Sequence, residues 1–123
     1  MSAKEVGVQL VQLCNQGKNL ECIARFYADD VESIEAAARP GAEQVTRGKE
    51  AVRTANERWL ANHEVHKAET TGPYPHGKDR FAVRFVYDVT NKPSGQRMQL
   101  DEIALYTLRD GKIVKEEFFY DMG

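Results

Sequence analysis

The chain has 123 residues, 41% of them hydrophobic and 29% charged, with a formal net charge of −2. That length suits a single domain with its own core, and the balanced composition excludes disorder of the whole chain. The acidic balance and scattered lysines and arginines exclude a basic nucleic-acid-binding face, and no apolar run approaches the roughly 20 residues of a membrane span.

The opening Met1-Ser2-Ala3-Lys4-Glu5 turns polar and amphipathic at once, without the apolar stretch of a signal peptide, so a cytoplasmic location is expected. Val6, Leu10, Leu13 and Cys14 recur at helical spacing and predict a helix over about 2–16, ended by Gly17. Leu20, Ile23, Phe26 and Tyr27 line a second, shorter helix closed by Asp29-Asp30. Val31 to Ala36 reads as a strand, and Ala38-Arg39-Pro40-Gly41-Ala42 as a loop. A third helix follows Gly48, with Val52, Ala55, Trp59 and Leu60 on one face, and ends near Asn62.

The remainder reads as β structure. A strand from about Glu64 to Thr70 leads into Gly72-Pro73-Tyr74-Pro75-His76-Gly77, which the prolines mark as a long irregular loop. Phe81, Val83, Phe85, Tyr87 and Val89 alternate with more polar neighbours, the period of a half-buried strand. Asn91 to Gly95 turns the chain into a strand over about 97–108, and Asp110-Gly111 turns it into a last strand over 112–121. The expected architecture is a single α+β domain over 1–123: three helices from the N-terminal half wrapped around a curved, barrel-like antiparallel sheet, in the order α-α-β-α-β-β-β-β.

Cys14 and Cys22 fall on different predicted helices. Spacing alone leaves a disulfide open, and two reduced, buried thiols are the expected state.

The last hairpin carries the strongest chemical signal. Met98, Leu100, Ala104, Tyr106 and Leu108 share one face of their strand with Glu102, and Val114, Phe118 and Tyr120 share one face of the next with Glu116. A three-residue loop, Arg109-Asp110-Gly111 with a glycine bulge, brings both faces to one side, and a two-residue loop separates them. A sheet with one buried face selects the register that gathers its apolar residues, so the bulged loop is expected. Glu102 and Glu116 then point into an apolar wall with Phe81, Val83 and Phe85. A carboxyl placed there must find a partner or take up a proton, and a raised-pKa acid in an apolar hollow is a candidate general acid or base. The competing reading is structural: pairing with Arg84, Arg97 or a lysine at the sheet edge.

Three stretches resemble the SnoaL-like proteins of the nuclear transport factor two-like superfamily. They are Ile23-Ala24-Arg25-Phe26-Tyr27-Ala28-Asp29-Asp30-Val31, Arg47-Gly48-Lys49-Glu50-Ala51-Val52, and Leu108-Arg109-Asp110-Gly111-Lys112-Ile113-Val114 followed by Glu116-Glu117-Phe118-Phe119-Tyr120-Asp121. The resemblance implies a cone-like fold with a deep apolar pocket for a small organic ligand, and a homodimer packed through the sheet. Relatives include ketosteroid isomerase, scytalone dehydratase, polyketide cyclases and limonene epoxide hydrolase, so fold alone does not select an activity. Carried over residue by residue, the carboxylate base of ketosteroid isomerase falls at Glu35. Its oxyanion tyrosine falls at Leu10 and its oxyanion acid at Ala104 or Ile103, none of which can donate the hydrogen bond.

Glu35 and Glu116 are therefore the candidate catalytic residues. The candidate ligand-binding residues are Tyr27, Trp59, Phe81, Val83, Phe85, Glu102, Tyr106, Phe118 and Tyr120, of which Trp59 and Phe118 are equally explained as core. The tyrosines differ because a buried phenol needs a hydrogen-bond partner. His63 and His66 are three apart at a helix-to-strand change, unsuited to a zinc pair, and His76 sits in the Pro/Gly-rich segment. No metal constellation, phosphate loop or serine-nucleophile motif is present, so no cofactor is expected. Two functions remain open: proton transfer on an apolar carbonyl or hydroxyl compound (isomerisation, dehydration or cyclisation), or a non-catalytic binding or dimeric interaction module with structural acids. Ile103, Leu105 and Phe119 among Gln99, Asp101, Lys115 and Glu117 form a mixed outer face suited to subunit packing.

Overall fold

The computed structural model of the chain describes residues 1–38 and 43–121. Helix α1 (Ala3–Asn15) opens with a capping box, in which Ser2 Oγ accepts from the Glu5 amide and Glu5 Oε1 accepts from the Ser2 amide, both at 3.1 Å. Its inner stripe is the predicted one: Val6, Leu10, Leu13 and Cys14 are buried. Helix α2 (Asn19–Phe26) passes directly into strand β1 (Tyr27–Ile34), four residues before the expected start. Asp29 and Asp30, read as a helix stop, lie in this strand, where Arg109 Nη2 donates to Asp30 Oδ2 at 3.1 Å. Asp29 and Asp30 fall where the register of the parallel β1–β6 ladder shifts, between the paired Tyr27 and Glu32, so this irregular stretch of the strand tolerates residues of poor strand propensity.

A short strand β2 (Val45–Arg47), not anticipated from the sequence, pairs antiparallel with β1. Pro40 and Gly41 of the expected loop lie outside the described residues. Helix α3 (Lys49–Asn62) starts at Gly48, whose φ of +95° is the conformation that favours glycine. Of the four residues expected on its apolar face only Val52 is buried; Ala55 and Leu60 are exposed and Trp59 is half-buried. The helix thus covers the sheet incompletely.

Strands β3 (His63–His76), β4 (Arg80–Asn91), β5 (Arg97–Arg109) and β6 (Lys112–Phe119) form an antiparallel meander. Among the described residues the six strands make one sheet in the order β2-β1-β6-β5-β4-β3, curved but not closed, because β2 and β3 remain unpaired to each other. The segment expected to be irregular, Gly72 to His76, belongs to β3 with a register shift between Thr71 and Tyr74. Its prolines fit because β3 is an edge strand and bulged, so the lost amide donors leave no gap in a central ladder. Asn15, at the end of α1, clamps the same strand: its Nδ2 donates to Thr70 O at 2.9 Å and its Oδ1 accepts from the Thr70 amide at 2.8 Å.

The hairpin joining β5 and β6 corrects the expected loop. Arg109 pairs with Lys112 across a two-residue turn, with Asp110 at φ +52° and Gly111 at φ +77°. The extra residue sits further along, at Val114: Leu108 faces Ile113, but Thr107 faces Lys115. This bulge restores the register that gathers the apolar set, so Tyr106 opposes Glu116 and Ala104 opposes Phe118. Ile113, not Val114, fills the inner face before the bulge, and it is fully buried.

Candidate functional site

Burial is graded along the inner faces of β5 and β6. On β5, Leu108, Tyr106 and Ala104 are buried, whereas Glu102, Leu100 and Met98 are half-buried. On β6, Ile113 and Glu116 are buried and Phe118 is half-buried, followed by half-buried Tyr120 just beyond the strand. On β4, Phe81, Val83 and Phe85 are buried and Tyr87 is half-buried, but Val89 beyond it is again fully buried. The sealed part contains the core built with α1 and α2. The other part is the open end, near Trp59 of the incompletely packed α3.

Glu116 lies where the two regions meet and is only 2% exposed. Three strands supply its surroundings. Tyr27 of β1 donates its hydroxyl to Glu116 Oε2, Ser33 of β1 opposes Glu116 across the parallel ladder and hydrogen-bonds it, and Tyr106 of β5 opposes it on the other side. Tyr106 in turn meets the Tyr27 hydroxyl. Burial raises the Glu116 carboxyl from 4.5 to about 7, the Tyr27 and Ser33 hydroxyls pull it down, and repulsion from Glu35 adds to the rise. Burial, then the nearby Glu116 carboxyl, pushes both phenols well above their ordinary value, so at neutral pH they act as donors, not as bases. The group that exchanges a proton near pH 7 is Glu116.

Glu35, half-buried just past β1, is the second carboxyl of this face: Tyr120 donates to its Oε2 at 2.8 Å. The Glu35 amide still donates to Gln44 O at 2.8 Å, so strand pairing fixes the backbone on which the carboxyl is held. Glu102 shares the inner face of β5 and opposes Phe85. Trp59 stacks on His63 with ring centroids 4.3 Å apart and lies 5.9 Å from Tyr87, which stacks on Phe85 at 5.9 Å. The predicted residues therefore divide. Glu116, Tyr27 and Tyr106 form one buried cluster; Glu35, Glu102, Phe118, Tyr120 and Trp59 sit at the open end; Phe85 is buried beside Tyr87. Phe81 and Val83 belong to the sealed core, where Phe81 stacks on Tyr106 at 5.1 Å.

Sequence reasoning missed Ser33 and Tyr87. Ser33 is visible only once β1 is paired with β6, whereas Tyr87 was legible as an inner-face residue from its alternation with Phe85. The positions aligned with the oxyanion donors of ketosteroid isomerase, Leu10 and Ala104, are core residues. The hydroxyls of this chain come instead from β1 and β5.

The free thiols of Cys14 and Cys22 lie beneath this cluster and hydrogen-bond each other. That contact and burial push the Cys22 thiol far up, leaving it unreactive. Among the described residues no three metal-ligating side chains converge, and no helix is long and apolar enough to cross a membrane. Two surface hollows flank α1. One, of about 400 Å³, lies between Ser2, Lys4, Pro73, Lys78, Arg80 and Phe81; the other lies along Lys4, Val8 and Gln12. Neither touches Glu116.

No functionally curated protein matches the chain. Among solved structures, a candidate SnoaL-like polyketide cyclase of Mesorhizobium loti is 42% identical over 98% of this chain and 100% of its own, with a TM-score of 0.91. A Mycobacterium tuberculosis protein solved in complex with estradiol-17β-hemisuccinate is 19% identical over 99% of this chain and 96% of its own, with a TM-score of 0.76. A candidate polyketide cyclase of Pseudomonas putida is 17% identical over 99% of this chain and 93% of its own, with a TM-score of 0.72. The last two share the fold. Residues 1–120 match the SnoaL-like domain family, and the chain belongs to that family.

Proposed function

We propose that this protein binds a small, largely apolar carbonyl or hydroxyl compound at the open end of its sheet and moves a proton on it, without a cofactor, through Glu116. The observation that carries this reading is a buried carboxyl, held by two hydroxyls, whose pKa stands at about 7. A base is most useful when it is half-ionised at the working pH. In its ionised form Glu116 takes a proton from the carbon beside a carbonyl, and a hydroxyl of Tyr106 or Tyr120 stabilises the negative charge that develops on oxygen. Returning the proton to a different atom gives isomerisation; loss of hydroxide, or attack of the carbanion on a second carbonyl, gives dehydration or cyclisation. The estradiol derivative held by the mycobacterial relative and the cyclase description of the rhizobial one support a ligand of this kind.

The test is hydrogen–deuterium exchange at the carbon beside the carbonyl in a panel of apolar ketones, followed by NMR. Wild-type protein is expected to accelerate exchange, and Glu116→Gln to lose at least about 100-fold of that acceleration, the usual share of general-base catalysis. Unchanged exchange in both Glu116→Gln and Glu35→Gln overturns the proposal. A second reading, a binding module with structural acids, is favoured by the near-complete enclosure of Glu116. Tight ligand binding without any exchange decides for it.

The outer face supports association of two copies. Ile103 and Phe119 oppose each other across β5 and β6 and are 38% and 50% exposed, and Leu105, Ala82 and Tyr74 continue the row through adjacent pairs. Arg84 lies beside them, holding Asp101 through two hydrogen bonds of 2.9 and 2.7 Å. A homodimer through this face is expected in light scattering at micromolar concentration, with Phe119→Lys shifting it to monomer. A wild-type monomer rejects the arrangement. Free Cys14 and Cys22 support a reducing, cytoplasmic compartment, and recovery of the protein from a secreted fraction would contradict it.

A further inference from the structure

We infer that the hollow between the first turn of α1 and the β3–β4 turn is a second binding site, for a small organic carboxylate with a flat apolar body. It lies apart from the open end of the sheet and does not depend on the proton-transfer reading.

Three elements build it. Strand β3 presents Pro73 and Pro75 to the hollow, while Tyr74 between them is exposed on the outer face. Helix α1 lies tight on this strand at Gly7, where a Cβ would stand 2.8 Å from Pro73 Cβ. The hollow lies on the N-terminal side of that contact, beside Lys4, and the β3–β4 turn borders it with Lys78 and Arg80. Phe81 of β4 completes the floor. At about 400 Å³ the hollow falls within the roughly 300–1,000 Å³ usual for small-molecule sites.

The rim is positive and unanswered. Among the described residues, the side chains of Lys4, Lys78 and Arg80 make no hydrogen bond or ion pair. Four other arginines are held by carboxylates: Arg47 by Glu32, Arg84 by Asp101, Arg97 by Asp88 and Arg109 by Asp30. Two carboxylates stand near the hollow and neither pairs with its cations. Glu5 accepts from the Ser2 amide in the capping box, and Asp79, on the turn, forms no ion pair with a described lysine or arginine. The capping box also answers the positive end of α1, so the three side chains, rather than the helix end, give the hollow its charge.

Cations gathered around one concavity repel each other, and an anion between them relieves that repulsion. The planar fork of Arg80 matches a carboxylate in two parallel hydrogen bonds, and the lysines add point charges from either side. Below this rim Pro73, Pro75 and Phe81 offer apolar surface. A ligand that satisfies both levels has its carboxylate at the rim and a ring against the prolines.

The test is an amide NMR titration of the whole chain at low salt with 2-naphthoate, 2-naphthalenemethanol and inorganic phosphate. Naphthoate is expected to give saturable shifts centred on Lys4, Gly77, Lys78 and Arg80. It should bind there at least fivefold more tightly than the alcohol, which lacks the charge, or phosphate, which lacks the ring. The double variant Lys78→Glu, Arg80→Glu changes two exposed side chains without partners and should keep the fold, while naphthoate binding at this hollow weakens at least tenfold. High salt should weaken the wild-type interaction severalfold. Binding of the alcohol or of phosphate as tight as that of naphthoate overturns the ligand class. Shifts confined to the open end near Trp59, or none that saturate at millimolar naphthoate, overturn the site and leave the proposed function standing.

Discussion

Replacing Glu116 by glutamine tests the electrostatic account of the site without requiring a substrate. In the folded chain the carboxyl keeps its proton up to about pH 7, whereas an unperturbed one releases it near 4.5. Between these values the native state binds more protons than the unfolded state, so stability falls as pH rises through that window. The favourable contribution is complete below 4.5 and has gone above about 7. A displacement from 4.5 to about 7 corresponds to about 3 kcal/mol, because each tenfold change in proton affinity is worth 1.36 kcal/mol. Glutamine is neutral throughout, and its carbonyl can still accept from Tyr27. The difference in unfolding free energy between Glu116→Gln and wild type is therefore expected to move by about 3 kcal/mol in favour of the variant between pH 4 and pH 8. Urea titrations followed by Trp59 fluorescence at one fixed protein concentration measure this difference, and titrating groups remote from Glu116 cancel in the comparison. A difference that stays constant with pH would show that Glu116 is ionised at its ordinary pKa, and the proton-transfer proposal would lose its basis.

The same cluster predicts that Tyr27→Phe moves the Glu116 midpoint above 7, because the lost hydroxyl was pulling it down; carboxyl-carbon NMR of selectively labelled glutamate reads this, and a fall refutes it. Gly7→Ala should destabilise by about 1–3 kcal/mol, although alanine is ordinarily the better helix former by about 1 kcal/mol. A Cβ there would stand 2.8 Å from Pro73 Cβ and 3.2 Å from Phe81 Cδ2, so α1 would have to lift from β3; a gain in melting temperature contradicts this packing. Leu10→Ala, at a position 1% exposed, should cost about 2–5 kcal/mol in urea unfolding. A loss below 1 kcal/mol would mean that the sealed core is looser than described.

Pattern alone located the parts of the chain where local and tertiary preferences agree. The stripe Val6-Leu10-Leu13-Cys14 requires a helix with one buried face, and it forms one. Phe81, Val83 and Phe85 require an inner strand face and occupy it. Glu116 was legible because it interrupts an otherwise apolar face, and the structure buries it there. Where the chain departs from expectation, pairing decided. Asp29 and Asp30 entered a strand because the pairing of Tyr27 on one side and Glu32 on the other with β6 carries the chain across them, and Gly72 to His76 did so because an edge strand tolerates proline.

The hairpin between β5 and β6 marks the boundary between the two kinds of information. The need to gather the apolar residues with Glu116 on one side follows from the alternation in the sequence. Whether the extra residue sits in the turn or further along the strand does not. Asp110 and Gly111 at positive φ close the tighter turn, and Val114 absorbs the surplus. Sequence also could not reveal which neighbours would surround Glu116. Ser33 lies on a strand that joins the meander only through a parallel pairing across most of the chain, and the position of a residue in such a pairing is set by the packing of the whole sheet rather than by its own neighbours.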